Sequence, residues 1–95
     1  MRLTASEADA IREEVSRLDP EAELYLYGSR TDDAARGGDI DLLVVSDKLA
    51  LRDVLRLRIR LLDRIGWQQL DLVARRRNQL GDAFATMAKE TGQKL

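Results

Sequence analysis

The sequence predicts an α+β fold, an α/β sandwich in which helices flank a small mixed sheet of about three to four strands. Three observations carry this expectation. Two segments, residues 5–18 and 49–65, place apolar residues at helical spacing. Three short apolar runs, at 23–27, 39–45 and 68–74, are bounded by turn-forming residues. Helical and strand-like segments alternate along the chain, so that each strand has a helix to cover it. At 95 residues the chain is read as one domain, 1–95.

The first helix is expected over 5–18. Thr4 and Glu7 have capping-box spacing, Ala8, Ile11, Val15 and Leu18 form one stripe, and Asp19-Pro20 stops it. The first strand follows at 23–27 and ends at Gly28-Ser29. Residues 30–35 suit a short helix, Gly37-Gly38 breaks the chain, and the second strand fills 39–45. The next helix spans 49–65, with Ser46 or Asp47 as its cap and Gly66 as its end. A third strand is expected at 68–74. A last helix at 78–91 would carry Leu80, Phe84, Met87 and Thr91 on one face and stop at Gly92.

Composition narrows the chemistry. The chain is 44% hydrophobic and 35% charged, with a net charge of -1, so no overall field draws it to nucleic acid. It has no Cys, which removes disulfides and thiolate catalysis, and no His, which removes the commonest general base and zinc ligand. Catalysis would have to run on carboxylates, hydroxyls, cations and bound metal. The first fifteen residues lack an apolar signal core and no run is long enough to span a bilayer, so a cytoplasmic protein is expected.

The chemically capable groups gather in one stretch, LYLYGSRTDDAARGGDIDLLVV, residues 24–45. A Gly-Ser turn after a strand leaves room for a ligand against the backbone, and amides at a following helix start favour phosphate. Alone it is an ordinary turn far more often than a cradle. Asp39 and Asp41, two apart on a strand, share a face and repel unless a cation lies between them. Hard oxygen ligands of this kind suit Mg²⁺. The bland alternative is a solvated strand entrance, but the apolar neighbours Ile40, Leu42, Leu43 and Val44 argue for a central strand. Asp71, inside Leu70-Asp71-Leu72-Val73, is the third candidate. If its strand pairs with 39–45, it joins the two aspartates as a metal ligand or a proton acceptor.

At these residues the chain resembles the minimal nucleotidyltransferases (MNT) of the DNA polymerase beta-like superfamily. The resemblance rests on Leu26-Tyr27-Gly28-Ser29-Arg30, Asp39-Ile40-Asp41-Leu42-Leu43 and Leu70-Asp71-Leu72-Val73, and it covers nearly the whole chain. It implies the nucleotidyltransferase fold and a Mg²⁺-dependent transfer of a nucleoside monophosphate, AMP from ATP by preference, to a hydroxyl, releasing pyrophosphate. Gly28 and Ser29 would hold the triphosphate, with Arg30 and Arg36 neutralising its charge. Asp39, Asp41 and Asp71 would hold one or two Mg²⁺ ions, Asp71 also being a candidate base. The spacer between Ser29 and Asp39 is nine residues, one shorter than in many close relatives, and Gly37-Gly38 departs from their usual loop. The resemblance extends to HEPN/MNT-type antitoxins. It therefore implies a small helical HEPN-type partner, or a homodimer, to supply the acceptor side that so short a chain lacks.

Two other classes compete. The first is a non-catalytic descendant that binds nucleotide or a protein partner, acting as an antitoxin without turnover. The second is a nucleic-acid module using the Arg residues of 49–65 and Arg75-Arg76-Arg77. Near-zero net charge and only 4% aromatic residues disfavour it. In the helix at 49–65, Arg52, Arg56, Arg60, Asp63 and Arg64 form a solvated face. Arg58 instead projects into the apolar arc near Leu51, Leu62 and Ile65, where its guanidinium would need an acidic partner or a subunit interface.

Overall fold

The structure, a computed structural model, describes residues 4–27, 40–66, 69–79 and 81–95, the side chain of Phe84 excepted. Its elements in order are α1 (Ala5–Leu18), β1 (Glu23–Tyr27), β2 (Ile40–Val45), α2 (Leu51–Ile65), β3 (Leu70–Arg75), a 3-10 turn (Arg77–Gln79), α3 (Ala83–Thr91) and β4 (Gln93–Lys94). The fold is α+β.

The strands form one mixed sheet in the order β3-β2-β1-β4. β1 runs antiparallel to β2 and β4, and β2 runs parallel to β3. Strand side chains alternate between two faces. Leu24, Leu26, Ile40, Leu42, Val44 and Leu70 point to one face and pack with Ile11 and Val15 of α1 and Leu57, Leu61 and Leu62 of α2. The opposite face carries Tyr25, Tyr27, Leu43 and Val45, and α3 covers part of it through Ala88.

The ends of α1 are set locally. Thr4 Oγ1 accepts from the Glu7 amide at 3.1 Å and Glu7 Oε1 accepts from the Thr4 amide at 3.0 Å, closing the capping box. The chain then turns on Asp19, which is 2% exposed. Its carboxylate accepts from Ser46 Oγ at 2.6 Å and from the Glu21 amide at 3.0 Å. The end of α1 is thereby tied to the end of β2. The Ser46 hydrogen bond, the largest influence, holds the Asp19 carboxyl below the usual carboxylate range despite its burial.

Four expectations fail in detail. Helix α2 begins at Leu51, and neither Ser46 nor Asp47 caps it. Asp53 Oδ2 accepts from the Ala50 amide at 2.9 Å instead, while Ser46 is engaged with Asp19 and Asp47 accepts from the Arg77 amide at 3.0 Å. The single last helix is broken, because Asp82 adopts extended backbone and its side chain caps α3 by accepting from the Ala85 amide at 2.6 Å. Among the described side chains of α3, Ala85 and Ala88 are buried, and Ala88 packs with the sheet. Met87 and Thr91 are exposed, and Leu80 and the Phe84 side chain lie outside the described residues.

Arg58 is the fourth. It is exposed, and no ion pair joins it to another described residue. The physical reason is that α2 buries only one side of its apolar arc. Leu57, Leu61 and Leu62 enter the core, whereas Leu51, Leu55 and Ile59 stay largely in water. Arg64, expected in the solvated face, reaches α1 and donates to Glu13 at 2.9 Å and Glu14 at 3.1 Å. β4 is an addition to the expected elements, and it pairs with β1 through Tyr25↔Lys94 and Leu26↔Gln93.

Candidate active site

The end of the sheet where β1 stops and β2 and β3 begin brings three chemically capable side chains into one row. Across β1 and β2, Tyr27 is the register partner of Asp41. Across β2 and β3, Asp41 is the register partner of Asp71. The Ile40 amide donates to the Gln69 carbonyl at 2.9 Å and so closes the parallel ladder beside the two aspartates. Neighbouring strands lie about 4.8 Å apart, so the backbones of Asp41 and Asp71 are separated by one such step. Both share the strand parity of Tyr25, Tyr27, Leu43 and Val45, the face opposite α1 and α2.

Local sequence explains the placement. Leu70 and Leu72 turn toward the core beside Ile40, Leu42 and Val44. Asp71 between them is forced to the other face, as Asp41 is between Ile40 and Leu42. Asp41 is half-buried and Asp71 is exposed.

Tyr27 registers the charge of the pair. It is 6% exposed, and its hydroxyl is pushed up to about 12, first by burial and then by the negative charges of Asp71 and Asp41. It therefore stays protonated far above neutral pH, on the sheet face that carries the two aspartates. In the sequence Tyr27 stands out only as the last residue of the hydrophobic run before Gly28. The signal that marks it is parity, since Tyr27 is directly paired with Asp41 once β1 and β2 form a hairpin-like pair.

Of the sequence-predicted residues, Asp41 and Asp71 are brought together. Gly28, Ser29, Arg30, Arg36 and Asp39 lie outside the described residues, although Gly28 follows Tyr27 and Asp39 precedes Ile40 in the chain. Among the described residues no group of three Asp, Glu, His or Cys gathers to hold a metal ion. The donor set still fits Mg²⁺. Two adjacent carboxylates on one face supply the hard oxygens such an ion takes from protein, the rest coming from water and substrate phosphates.

A family model describing a nucleotidyltransferase domain matches residues 8–90. The chain belongs to the nucleotidyltransferase domain family. No curated protein matches it closely enough to count as a relative. The nucleotidyltransferase match takes in α2, all of α1 but its first three residues, and the three strands that carry the row Tyr27, Asp41 and Asp71. General nucleotidyl transfer is thus the function the family supports. No described helix is long and apolar enough to cross a membrane.

The Arg75-Arg76-Arg77 run does not form an open basic patch. Arg75 pairs with Asp82 at 3.3 Å, Arg76 donates to the Asp47 carbonyl at 3.1 Å, and Arg77 donates to the Glu21 carbonyl at 2.6 Å and to Asp47 at 3.3 Å. These guanidiniums staple the loops after β2 and β3.

Proposed function

We propose that this nucleotidyltransferase moves a nucleoside monophosphate, AMP from ATP by preference, to a hydroxyl acceptor in the cytoplasm, where nucleoside triphosphates are made. The observation that carries the reading is the register pairing of Asp41 with Asp71 on one sheet face, in a chain matched by the family model. Mg²⁺, when bound by Asp41 and Asp71 together with Asp39, would neutralise the charge of the triphosphate and of the attacking oxygen. Gly28 and Ser29 would orient the phosphates, and Arg30 and Arg36 would offset their charge. Asp71, the more exposed carboxylate, would either complete that metal site or, as base, take the proton of the acceptor hydroxyl. The acceptor oxygen then bonds to the α-phosphorus as its bond to pyrophosphate breaks. Protonated Tyr27 would wall the site and offer a hydrogen bond. The acceptor would be carried by a partner, a small helical HEPN-type protein inactivated by the transfer, or by a second copy.

The test is transfer of α-phosphate label from each common nucleoside triphosphate to a candidate partner in Mg²⁺. Asp41→Asn and Asp71→Asn should each lower the rate by about 10²-fold or more, because phosphoryl transfer rests mainly on charge neutralisation and positioning. Full activity in either variant, or no label transfer from any nucleotide, would overturn the proposal.

A further inference from the structure

The exposed side of α2 carries a second message. Leu51, Leu55 and Ile59 are 75%, 55% and 53% exposed and recur every fourth residue, so they form one stripe along the helix. Their combined apolar area is on the order of 300 Å², the low end of what the largest exposed patch of a monomer reaches, and such patches are often functional. At about 100° per residue, Arg58 flanks the stripe on one side, and Arg52 and Arg56, with Asp63 between them in angle, flank it on the other. The three arginines are exposed and none is ion-paired with another described residue, so the stripe's border is net positive. By contrast Arg60 and Arg64, further round the helix, reach Glu14 at 3.9 and 3.1 Å.

The geometry points to a docking surface for an acidic amphipathic helix of another protein. Its apolar stripe would cover Leu51, Leu55 and Ile59, and carboxylates on its two flanks would meet Arg58 on one side and Arg52 and Arg56 on the other. A second copy of this chain is a poor occupant. Two α2 helices facing each other would set Arg58 against Arg58, and the one exposed acid on the other flank, Asp63, offsets only one of Arg52 and Arg56. Helix α1 exposes the carboxylates of Asp9 and Glu13, but its apolar residues Ile11 and Val15 are already buried in the core. No described helix of the chain offers an exposed apolar stripe edged by acids. Arg58 then has a reason to sit within the apolar arc: it is a recognition cation. This bears on the partner side of the proposed function and does not rest on its chemistry.

The probe is a synthetic helix about three heptads long, with leucines at helical spacing and glutamates on both flanks, and a control in which lysines replace the glutamates. Fluorescence anisotropy in the absence of nucleotide and metal follows binding to the full chain. The acidic helix should bind saturably and weaken with salt. Leu55→Asp should abolish binding, and the double variant Arg52→Glu/Arg58→Glu should weaken it at least about tenfold and gain affinity for the lysine control. All three substituted side chains are exposed, and circular dichroism confirms that each variant is folded. Equal binding of acidic and basic helices, or no saturation up to about 1 mM, overturns the inference. So does a wild-type dimer in sedimentation that Leu55→Asp converts to monomer, since a second copy would then be the occupant. Failure here leaves the transfer reading standing, because the assay contains neither substrate nor Mg²⁺.

Discussion

Replacing Asp71 by Asn should be visible at Tyr27, two strands away. The Tyr27 hydroxyl is held up to about 12, with burial the first cause, Asp71 the second and Asp41 the third, while Arg75 pulls the other way. The substitution removes one negative charge and leaves burial in place. Over two strand steps, about 10 Å, unit charges interact by about 0.4 kcal/mol at the dielectric of water and about 1.7 kcal/mol at an effective value near 20. At 1.36 kcal/mol per pH unit this spans about 0.3 to 1.2 units. Asp71 is exposed, so the lower half of that range applies. Tyr27 should therefore fall by about 0.3 to 0.8 pH unit and remain above its ordinary value of 10.0. The chain has two tyrosines, and Tyr25 is also pushed up to about 12, by burial and by Glu23. The titration is accordingly read as tyrosinate absorbance in a Tyr25→Phe background, with circular dichroism confirming the folded state at each pH. An unchanged Tyr27 would refute the placement of Asp71 on its face. A fall to the ordinary value would refute burial as the leading cause.

Other consequences concern stability. Ser46→Ala removes the hydroxyl that donates to buried Asp19, a bond to a charged group, and should cost about 1.5–3 kcal/mol at neutral pH in urea unfolding. Asp19 lies below its ordinary value of 3.8 in the folded chain, so this stabilisation is present above that value and disappears as pH falls through the depressed one. The penalty of Ser46→Ala should fade in acid; a penalty independent of pH would contradict the assignment. A Cβ at Gly92 would clash with the Ala88 carbonyl oxygen and lie 2.7 Å from that of Leu26. Both are backbone atoms and cannot swing aside, so Gly92→Ala should cost about 1–3 kcal/mol, lowering Tm by several degrees in calorimetry. Asp82→Ala removes the cap of α3 and should cost about 1 kcal/mol in the same measurement, with Asp82→Ser retaining most of the stability.

What could be read without coordinates follows from how local each cause is. The limits of α1 and β1 match expectation because Thr4, Glu7, Asp19-Pro20 and Gly28 are punctuation within the chain itself. Asp41 and Asp71 were legible as candidates because each interrupts an apolar strand, Asp41 two residues after Asp39 and Asp71 between Leu70 and Leu72. The break before α3 was obscured by an apolar pattern that continued through Gly81 and Asp82. Strand β4, two polar residues long, exists only through its pairing with β1 and has no periodicity to read. Arg58 lies within the apolar arc of α2 but outside its buried arc, because α2 leaves Leu51, Leu55 and Ile59 in water, and the sequence alone does not separate the two arcs. The other half of the predicted site, Gly28, Ser29, Arg30, Arg36 and Asp39, lies outside the described residues, so only its neighbours in sequence are placed.

The parallel ladder between β2 and β3 has a bearing on how errors are filtered. A strand can slip by one residue only by exchanging its two faces. Were β3 to slip, Leu70 and Leu72 would turn to the open face and Asp71 would enter the packed face beneath α1 and α2, among Ile40, Leu42 and Leu61. An unpaired carboxylate there, with two leucines displaced, would cost several kcal/mol, a large share of what holds a small domain together. Misalignment of Asp71 and unfolding are thus coupled outcomes. Length changes between Gly66 and Leu70 should yield either a correctly aligned pair or no folded protein, with few folded but misaligned forms between.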